Sequence, residues 1–230
     1  MNSYFFVVML LTTLILFLTA LLTADRITRN HYEQKSDFYA KHPINPGDIV
    51  FLGDSITDGA CWDELFPNLP VKHRGINADT TSGVLRRMGA ILSGQPAAIF
   101  LLIGTNDLPW FMVHNPAYIL KTYEAILSRC AEESPVTRVF VQSILPRHWR
   151  YARSIKNLNY RLCELAGRYG YTYINLFPQF ADAGGGLRAD LTNDRLHLLA
   201  KGYEMWVEIL EPHIYSLKSF LHEPSAAVRD

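Results

Sequence analysis

Short apolar segments that alternate with longer helical patterns restrict this chain to one fold class. Five short runs have the composition of β-strands: residues 49–52, 71–74, 98–103, 138–143 and 172–176. Helical patterns lie between and after these runs, at about residues 60–66, 81–92, 116–133, 154–169 and 200–217. Strands separated by helices are typical of repeated βαβ units. Because βαβ crossovers are right-handed, the sequence predicts a parallel sheet of about five strands with helices on both faces.

Polar side chains follow two of the predicted strands directly. Asp54 and Ser55 come after the first strand, and Asn106 comes after the third. In open α/β sheets the carboxyl ends of the strands meet at one edge, where these folds bind their ligands. A serine there becomes a nucleophile only when a base lies beside it. Asp194 and His197 supply such a base, because the carboxylate can hold the imidazole in the tautomer that accepts the serine proton.

Three groups near these strand ends are candidates for stabilising an oxyanion. They are the backbone N–H of Ser55 at a helix start, the backbone N–H of Gly75 after the second strand, and the side-chain amide of Asn106. Gly75 also fits an ordinary strand-to-helix turn, in which Asp79 or Thr80 caps the next helix. Nucleophile, base and oxyanion donors together predict an acyl-transfer site. We expect Asp54 to hold its turn by hydrogen bonds to the backbone.

Composition excludes several classes of partner and cofactor. Lys+Arg and Asp+Glu both number 22, so the net charge is zero and no basic face for nucleic acid is indicated. Cys61, Cys130 and Cys163 are widely spaced and form neither a metal motif nor a disulfide framework. No third ligand clusters with Asp194 and His197, so a zinc site is not favoured there. We therefore expect no metal and no organic cofactor.

The N-terminus differs from the rest of the chain. Residues 4–23 carry no charge and are long enough to cross the roughly 30 Å hydrocarbon core as a helix. A cleaved signal peptide is the alternative, but no Lys or Arg precedes the run, and the run is long for the apolar region of a signal. Arg26, Arg29, Lys35 and Lys41 all follow it, which favours a cytoplasmic catalytic domain.

These observations divide the chain into four parts. We expect a transmembrane anchor over residues 1–24, a polar linker or short helix over 25–46, the catalytic domain over 47–220 and a C-terminal tail over 221–230. Every candidate catalytic residue lies within the third part. We therefore expect the domain to fold and act without the segments that precede it.

Together, the polar residues resemble the SGNH, or GDSL-like, hydrolase family. Four blocks match in order: Gly53-Asp54-Ser55, Gly75 with Asn77, Gly104-Thr105-Asn106-Asp107, and Asp194 with His197. The resemblance covers about residues 47–217 and implies a three-layer α/β/α sandwich of the flavodoxin-like kind. It also implies that Ser55 is the nucleophile, that Asp194 and His197 are the orienting acid and the base, and that no cofactor is needed. The oxyanion donors would be Ser55, Gly75 and Asn106.

Further segments resemble one subgroup, the acetylhydrolase subunits that act on platelet-activating factor. These segments are residues 77–87, Leu145-Pro146-Arg147 and Leu196-His197-Leu198 with Gly202-Tyr203. Related bacterial esterases remove acetyl groups from glycans, so the resemblance implies a small acyl ester on a glycan or a lipid. The chain departs from the family at Ala78, where glycine is usual.

Two alternatives to an acetyl esterase remain open at this point. One is a lysophospholipase or thioesterase that uses the same catalytic groups and needs an apolar groove for a longer acyl chain. Trp110, Phe111 and Met112, shortly after Asn106, are the residues that would line such a groove. The other alternative is a non-catalytic α/β binding module, which the intact set of candidate catalytic residues disfavours.

Overall fold

A parallel sheet with strand order β2-β1-β3-β4-β5 forms the centre of the structure. The computed structural model describes residues 3–108 and 116–221. The strands are β1 (Ile49–Gly53), β2 (Val71–Gly75), β3 (Ala98–Leu102), β4 (Arg138–Gln142) and β5 (Thr172–Ile174). The helices are α1 (Ser3–Lys41), α2 (Ser55–Asp58), α3 (Trp62–Leu65), α4 (Thr81–Leu92), α5 (Pro116–Glu133), α6 (Ala152–Arg168), α7 (Phe177–Phe180) and α8 (Ala200–Leu221), with a 3₁₀ turn at Trp149–Tyr151 before α6.

Helices cover both faces of the sheet because its side chains alternate between them. Val50 and Leu52 of β1 pack in one apolar core with α4, α5 and α6. Ile49 and Phe51 pack in a second core with α3 and α8. The predicted three-layer α/β/α sandwich with a five-stranded parallel sheet is confirmed, and its strand order is that of flavodoxin-like folds.

The predicted elements differ from the observed ones mainly at their ends. The last strand stops at Ile174, short of the predicted 176, because the N–H groups of Leu176 and Phe177 donate to the Ser143 hydroxyl. The helix predicted at residues 60–66 is present as the shorter α3, and the sequence did not predict the other short helix before it, α2. Helix α2 begins at Ser55, two residues after the end of β1 at Gly53.

Helix α1 is one continuous helix of 39 residues. It is long and apolar enough to span a membrane, and the side chains of its apolar part are exposed. Residues 25–41, expected to be a linker or a short helix, continue the same helix to Lys41. Tyr39 near its end is buried against the sheet domain, and Ile44 just beyond it joins the first core.

Two sequence predictions fall outside the described residues. Trp110, Phe111 and Met112, the candidate groove residues, lie in residues 109–115. All of the predicted tail except Leu221 lies in residues 222–230, and Leu221 itself ends α8.

Candidate active site

Ser55 is the first residue of α2 and follows β1 after a single intervening residue. That residue, Asp54, is the N-cap of α2, and its Oδ1 accepts the backbone N–H of Ile56 at 3.0 Å. Complete burial raises the pKa of Asp54 to about 7. The turn therefore presents the serine at the carboxyl edge of the sheet, while the aspartate holds the turn from inside, as the sequence predicts.

His197 and Asp194 lie beside this serine. The Nε2 atom of His197 is 3.0 Å from Ser55 Oγ, and its Nδ1 atom is 2.6 Å from Asp194 Oδ2. A carboxylate can only accept a hydrogen bond, so it holds the imidazole proton on Nδ1 and leaves Nε2 free of one. Ser55 and His197 are 142 positions apart in the chain, yet with Asp194 they form one continuous row of hydrogen-bonded groups.

The turn that carries Asp194 fixes its carboxylate by local hydrogen bonds. Asp194 Oδ1 accepts the backbone N–H groups of Leu196 and His197, each at 2.8 Å. Arg195 adopts a left-handed conformation with φ 64°, which bends the chain between Asp194 and His197. Partial burial alone would raise the pKa of Asp194, but its hydrogen bonds from His197 and Leu196 outweigh burial and lower it to about 2. Asp194 is therefore ionised at any pH near neutrality.

Gly75 is the last residue of β2, the strand on one side of β1. A Cβ atom at this position would lie 2.3 Å from the backbone nitrogen of Asp58, so only glycine fits against α2. The carbonyl of Gly75 accepts the hydroxyl of Tyr39 from α1 at 2.8 Å. The backbone of Gly75 is thus packed against the helix that begins at Ser55 and is held from outside by α1.

Asn106 follows β3, the strand on the other side of β1. The chain leaves β3 through Gly104, whose φ of 123° suits glycine. The Asn106 side chain donates from Nδ2 to the backbone carbonyl of Asp79 at 2.9 Å. Gly75 and Asn106 therefore stand at the carboxyl ends of the two strands that flank the serine-bearing strand.

Asp79 and Arg87 tie these loops together through contacts that the sequence did not predict. Thr80, not Asp79, caps α4, by accepting the N–H of Gly83. The Asp79 carboxylate instead pairs with Arg87 at 2.9 Å, and Arg87 also donates to the carbonyl of Gly53 at 3.0 Å. Both residues of this ion pair lie in the segment 77–87, and the resemblance of that segment to the acetylhydrolase subgroup was the one sequence feature that could have pointed to them.

Two further residues support the loop that carries Asn106. Asp107 accepts both the backbone N–H and the hydroxyl of Thr81, at 2.9 and 2.7 Å. Arg147 donates to the carbonyls of Thr105 and Leu108 at 3.1 and 3.3 Å. Because both side chains are buried, these bonds fix the loop to α4 and to the segment after β4.

Ala78, where the family usually has glycine, has a left-handed backbone with φ 60°. Only glycine adopts this conformation without steric cost, which explains the family preference. The turn after Gly75 forms all the same, because the Asp79 N–H bonds the Ile76 carbonyl at 3.1 Å.

Asp58 at the end of α2 gathers an ion-pair cluster with α1 and β2. Lys35 Nζ lies 2.8 Å from Asp58 Oδ1, and His73 Nε2 lies 3.1 Å from the same oxygen. Burial works against ionisation of Asp58, but its bonds to His73 and Lys35 prevail and lower its pKa. His73, which has no evident partner in the sequence, is thus paired through the fold.

The described part of the chain offers no candidate metal site and no paired or activated cysteine. Residues 3–108 and 116–221 contain no group of three His, Cys, Asp or Glu side chains placed to hold a metal ion. Cys130 is buried, which raises its pKa to about 12, and Cys61 and Cys163 are unpaired thiols at the surface.

The GDSL-like lipase/acylhydrolase family model matches residues 51–205. The chain belongs to this family. Its members are lipases and acylhydrolases, so the chain is a hydrolase of ester bonds. A comparison with curated proteins gives no match.

Solved structures show the same fold over most of the chain. A protein from Streptococcus pneumonia described as a platelet activating factor candidate has TM-score 0.77 and 29% identity, covering 86% of this chain and 99% of that one. A GDSL-like lipase from Bacteroides thetaiotaomicron has TM-score 0.71 and 22% identity, covering 80% and 97%. An acetyl-xylooligosaccharide esterase from Geobacillus Stearmophilus has TM-score 0.59 and 17% identity, covering 81% and 99%.

Proposed function

We propose that this protein is a serine esterase whose reaction passes through an acyl-enzyme on Ser55. The observation that carries the proposal is the row of contacts from Ser55 Oγ through His197 to Asp194, at 3.0 and 2.6 Å. A serine hydroxyl is a weak nucleophile, and a neutral imidazole within hydrogen-bond distance is what activates it. Asp194 fixes the tautomer that has Nε2 ready to accept the proton.

The reaction proceeds in two balanced halves. Ser55 Oγ attacks the carbonyl carbon of the ester while its proton moves to His197 Nε2. The tetrahedral intermediate then expels the alcohol oxygen, which takes that proton and leaves as an alcohol. Water attacks the acyl-enzyme in the second half, His197 again accepts the proton, and the acid is released as Ser55 regains its hydrogen.

The oxyanion of each tetrahedral intermediate would be held by the backbone N–H of Ser55 and by the Asn106 amide. The N–H of Gly75, the third donor that the family resemblance implies, lies on the side of β2 that faces away from β1, because the N–H of the next residue, Ile76, is the one that donates to the Gly53 carbonyl. The first residue of a helix has an N–H without an intrahelical partner. Asn106 uses its Nδ2 in one bond to the Asp79 carbonyl, and an amide nitrogen carries two hydrogens. Donors fixed in this way cost no reorganisation when charge develops on the oxygen.

The acyl group we propose is small, with acetyl as the first candidate. Support comes from residues 77–87 and 145–147, which resemble acetylhydrolase subunits and here hold the Asn106 and Asp79 loops together. A structural neighbour is named an acetyl-xylooligosaccharide esterase. Hydrolysis rates on esters of one alcohol with acyl chains of increasing length test this. A maximum at long chains would contradict it and indicate a lysophospholipase or thioesterase.

We also propose that α1 anchors the protein as a single uncleaved span. The supporting observations are its exposed apolar surface over residues 4–22 and its unbroken continuation into a segment that packs on the domain. A signal sequence passes the same test of length and composition. The mass of the membrane-bound protein separates the two, since processing after Ala20 or Ala24 would contradict the anchor. The basic residues after the span favour a cytoplasmic domain, which protease protection in closed vesicles would test.

Substitution of the nucleophile and the base tests the esterase proposal. Ser55→Ala and His197→Ala should each lower turnover of a water-soluble acetyl ester by at least about 10³-fold, and the double variant should lose little more, because the groups act as a unit. Ser154→Ala, at an exposed position on α6, is the matched control and should retain full activity. Turnover close to that of the unaltered protein in purified Ser55→Ala would rule the mechanism out.

A further inference from the structure

The segment of α1 nearest the domain contacts the carboxyl edge of the sheet, where Ser55 lies. The Tyr39 hydroxyl binds the carbonyl of Gly75, the last residue of β2, and Lys35 pairs with Asp58 at the end of α2. Asp58 is three residues beyond Ser55 on the same short helix. The proposed anchor and the proposed nucleophile are therefore joined through a few direct contacts.

The order of contacts along α1 gives its direction relative to the sheet. Tyr32 donates to the carbonyl of Gly83 in the first turn of α4, at 3.2 Å, on the edge of the sheet that carries Ser55. Ile44, beyond the end of α1, packs against Gly94 after the last turn of α4, at the opposite edge. Followed toward its N-terminus, α1 therefore leaves the domain on the side of the catalytic serine.

The distance from the domain to the apolar run is fixed by the helix. Tyr32 is the ninth residue after Thr23, the last residue of the uncharged run, which places it about 14 Å further along the helix at 1.5 Å per residue. Residues 3–41 contain neither glycine nor proline, the usual causes of a sharp kink. A bilayer adds about 5–8 Å of head groups outside each face of its hydrocarbon core.

This distance determines which kind of ester in a membrane lipid the site can reach. An ester that joins a fatty chain to its glycerol lies at the boundary of the hydrocarbon core, roughly 14 Å short of the level of Tyr32. An ester on a head group that projects beyond the phosphate layer reaches the level of the site. The spacing therefore favours an acyl group on the outer part of a lipid head.

The surface around the site has the composition of a membrane-facing one. Leu199, two residues after His197, is 43% exposed, and Trp149 is 63% exposed. Trp149 follows His148, which is close enough to Arg195 for the two side chains to interact electrostatically. Arg195, between Asp194 and His197, is also exposed. Tryptophan and arginine are residues that favour the membrane–water interface and anionic head groups.

We propose that the catalytic serine faces the membrane to which α1 is anchored and removes acyl groups, such as acetyl, from the polar heads of lipids in that same leaflet. The proposal rests on the esterase function and the uncleaved span proposed above. The leaving group is the head-group hydroxyl, and the acyl group passes through Ser55 to water. Attachment to the same bilayer converts a three-dimensional search into a local one, so the effective substrate concentration rises.

The test changes the height of the domain above the membrane. Full-length protein is reconstituted into phosphatidylcholine vesicles that contain a diacylglycerol lipid with an O-acetylated sugar head, and acetate release is measured. Acetylated methyl glycoside of the same sugar, added at the same bulk concentration, is the soluble substrate. A seven-residue helical insertion after Asn30 raises the domain by about 10 Å and keeps nearly the same helix face. The matched control replaces Ala24–Asn30 by the same seven residues without changing the length.

The anchored protein should release acetate from the vesicle lipid at least tenfold faster than from the soluble glycoside, and it should leave the glycerol esters of phosphatidylcholine intact. The insertion should lower the vesicle rate at least fivefold and leave the soluble rate unchanged, while the length-matched control should behave as the unaltered protein. The proposal would be overturned by any of three results: equal rates on both substrates, a vesicle rate that the insertion leaves unchanged, or rapid cleavage of phosphatidylcholine. A failure on the soluble glycoside as well would overturn the esterase function beneath it.

Discussion

Asn106 has a structural contact and a proposed catalytic one, and a substitution distinguishes them. Loss of one oxyanion donor costs about 10²–10³ in kcat. Asn106→Ala should therefore lower kcat to this extent with little change in KM, and its melting temperature should fall only by the effect of one lost bond to the Asp79 carbonyl. Asn157→Ala, exposed on α6, is the control. A change in KM alone would assign Asn106 to substrate binding instead.

Asp54 makes stability depend on pH in a direction that can be worked out. Burial raises its pKa from 3.8 to about 7, so between those values the folded protein keeps a proton that the unfolded chain has released. Its contribution to the free energy of unfolding is therefore present below pH 4 and is lost as the pH rises to 7. At about 1.4 kcal/mol per pKa unit the loss is at most about 4 kcal/mol.

Urea unfolding at a series of pH values checks this, with Asp54→Asn as the comparison. The amide keeps an acceptor for the Ile56 N–H but cannot titrate. The stability of the unaltered protein relative to Asp54→Asn should decrease from pH 4 to pH 7. A difference that stays constant over this range would show that Asp54 is ionised in the folded state throughout.

Residue roles that depend on a local pattern could be predicted, and those that depend on distant partners could not. Asp194 and His197 are close in sequence, and Ser55 follows a strand, so their chemistry is visible in the chain. The ion pair of Asp58 with Lys35 depends on how α1 lies across the sheet. Nothing in the spacing of those two residues indicates that contact.

At the scale of elements, α1 is the part of the structure that the sequence describes least well. Residues 25–46 are polar, and their polarity predicted a linker or a short helix. The same polar residues form the face that binds the domain, since Tyr32, Lys35 and Tyr39 recur at helical spacing. The strands, by contrast, are better described, because β1 and β3 are apolar throughout, and four of the five strands end within one residue of the predicted position.

Two truncated proteins test whether the second half of α1 belongs to the domain. A protein that starts at Asp25 keeps every contact of α1 with the sheet and should retain full stability and activity on a soluble ester. A protein that starts at His42 loses the buried Tyr39 and leaves the Gly75 carbonyl without its partner. We expect its free energy of unfolding to fall by at least about 2 kcal/mol, with a lower kcat.

Tyr39→Phe in the longer protein isolates the hydrogen bond from the packing. If the protein that starts at His42 matches the longer one in urea unfolding and in kcat, the boundary near residue 47 that the sequence favours is the correct one.

At the scale of the whole molecule, strand order explains why residues far apart in the chain meet. The order β2-β1-β3 places the ends of three strands side by side, so Gly75, Ser55 and Asn106 come from neighbouring strands. The loop before α8 then brings His197 over the serine. The fold class could be predicted from alternation alone. The order of strands, and with it the closeness of the three loops, came from the family resemblance.

Peptide mass spectrometry during turnover shows directly whether Ser55 carries the acyl group. The protein that starts at Asp25 is mixed with an activated acetyl ester, quenched in acid within milliseconds and digested. We expect an added acetyl mass on the peptide that contains Ser55, which appears before steady state and disappears as substrate is consumed. Ser55→Ala should show none. Turnover without any such adduct, or a transient adduct on another residue, would rule out Ser55 as the nucleophile.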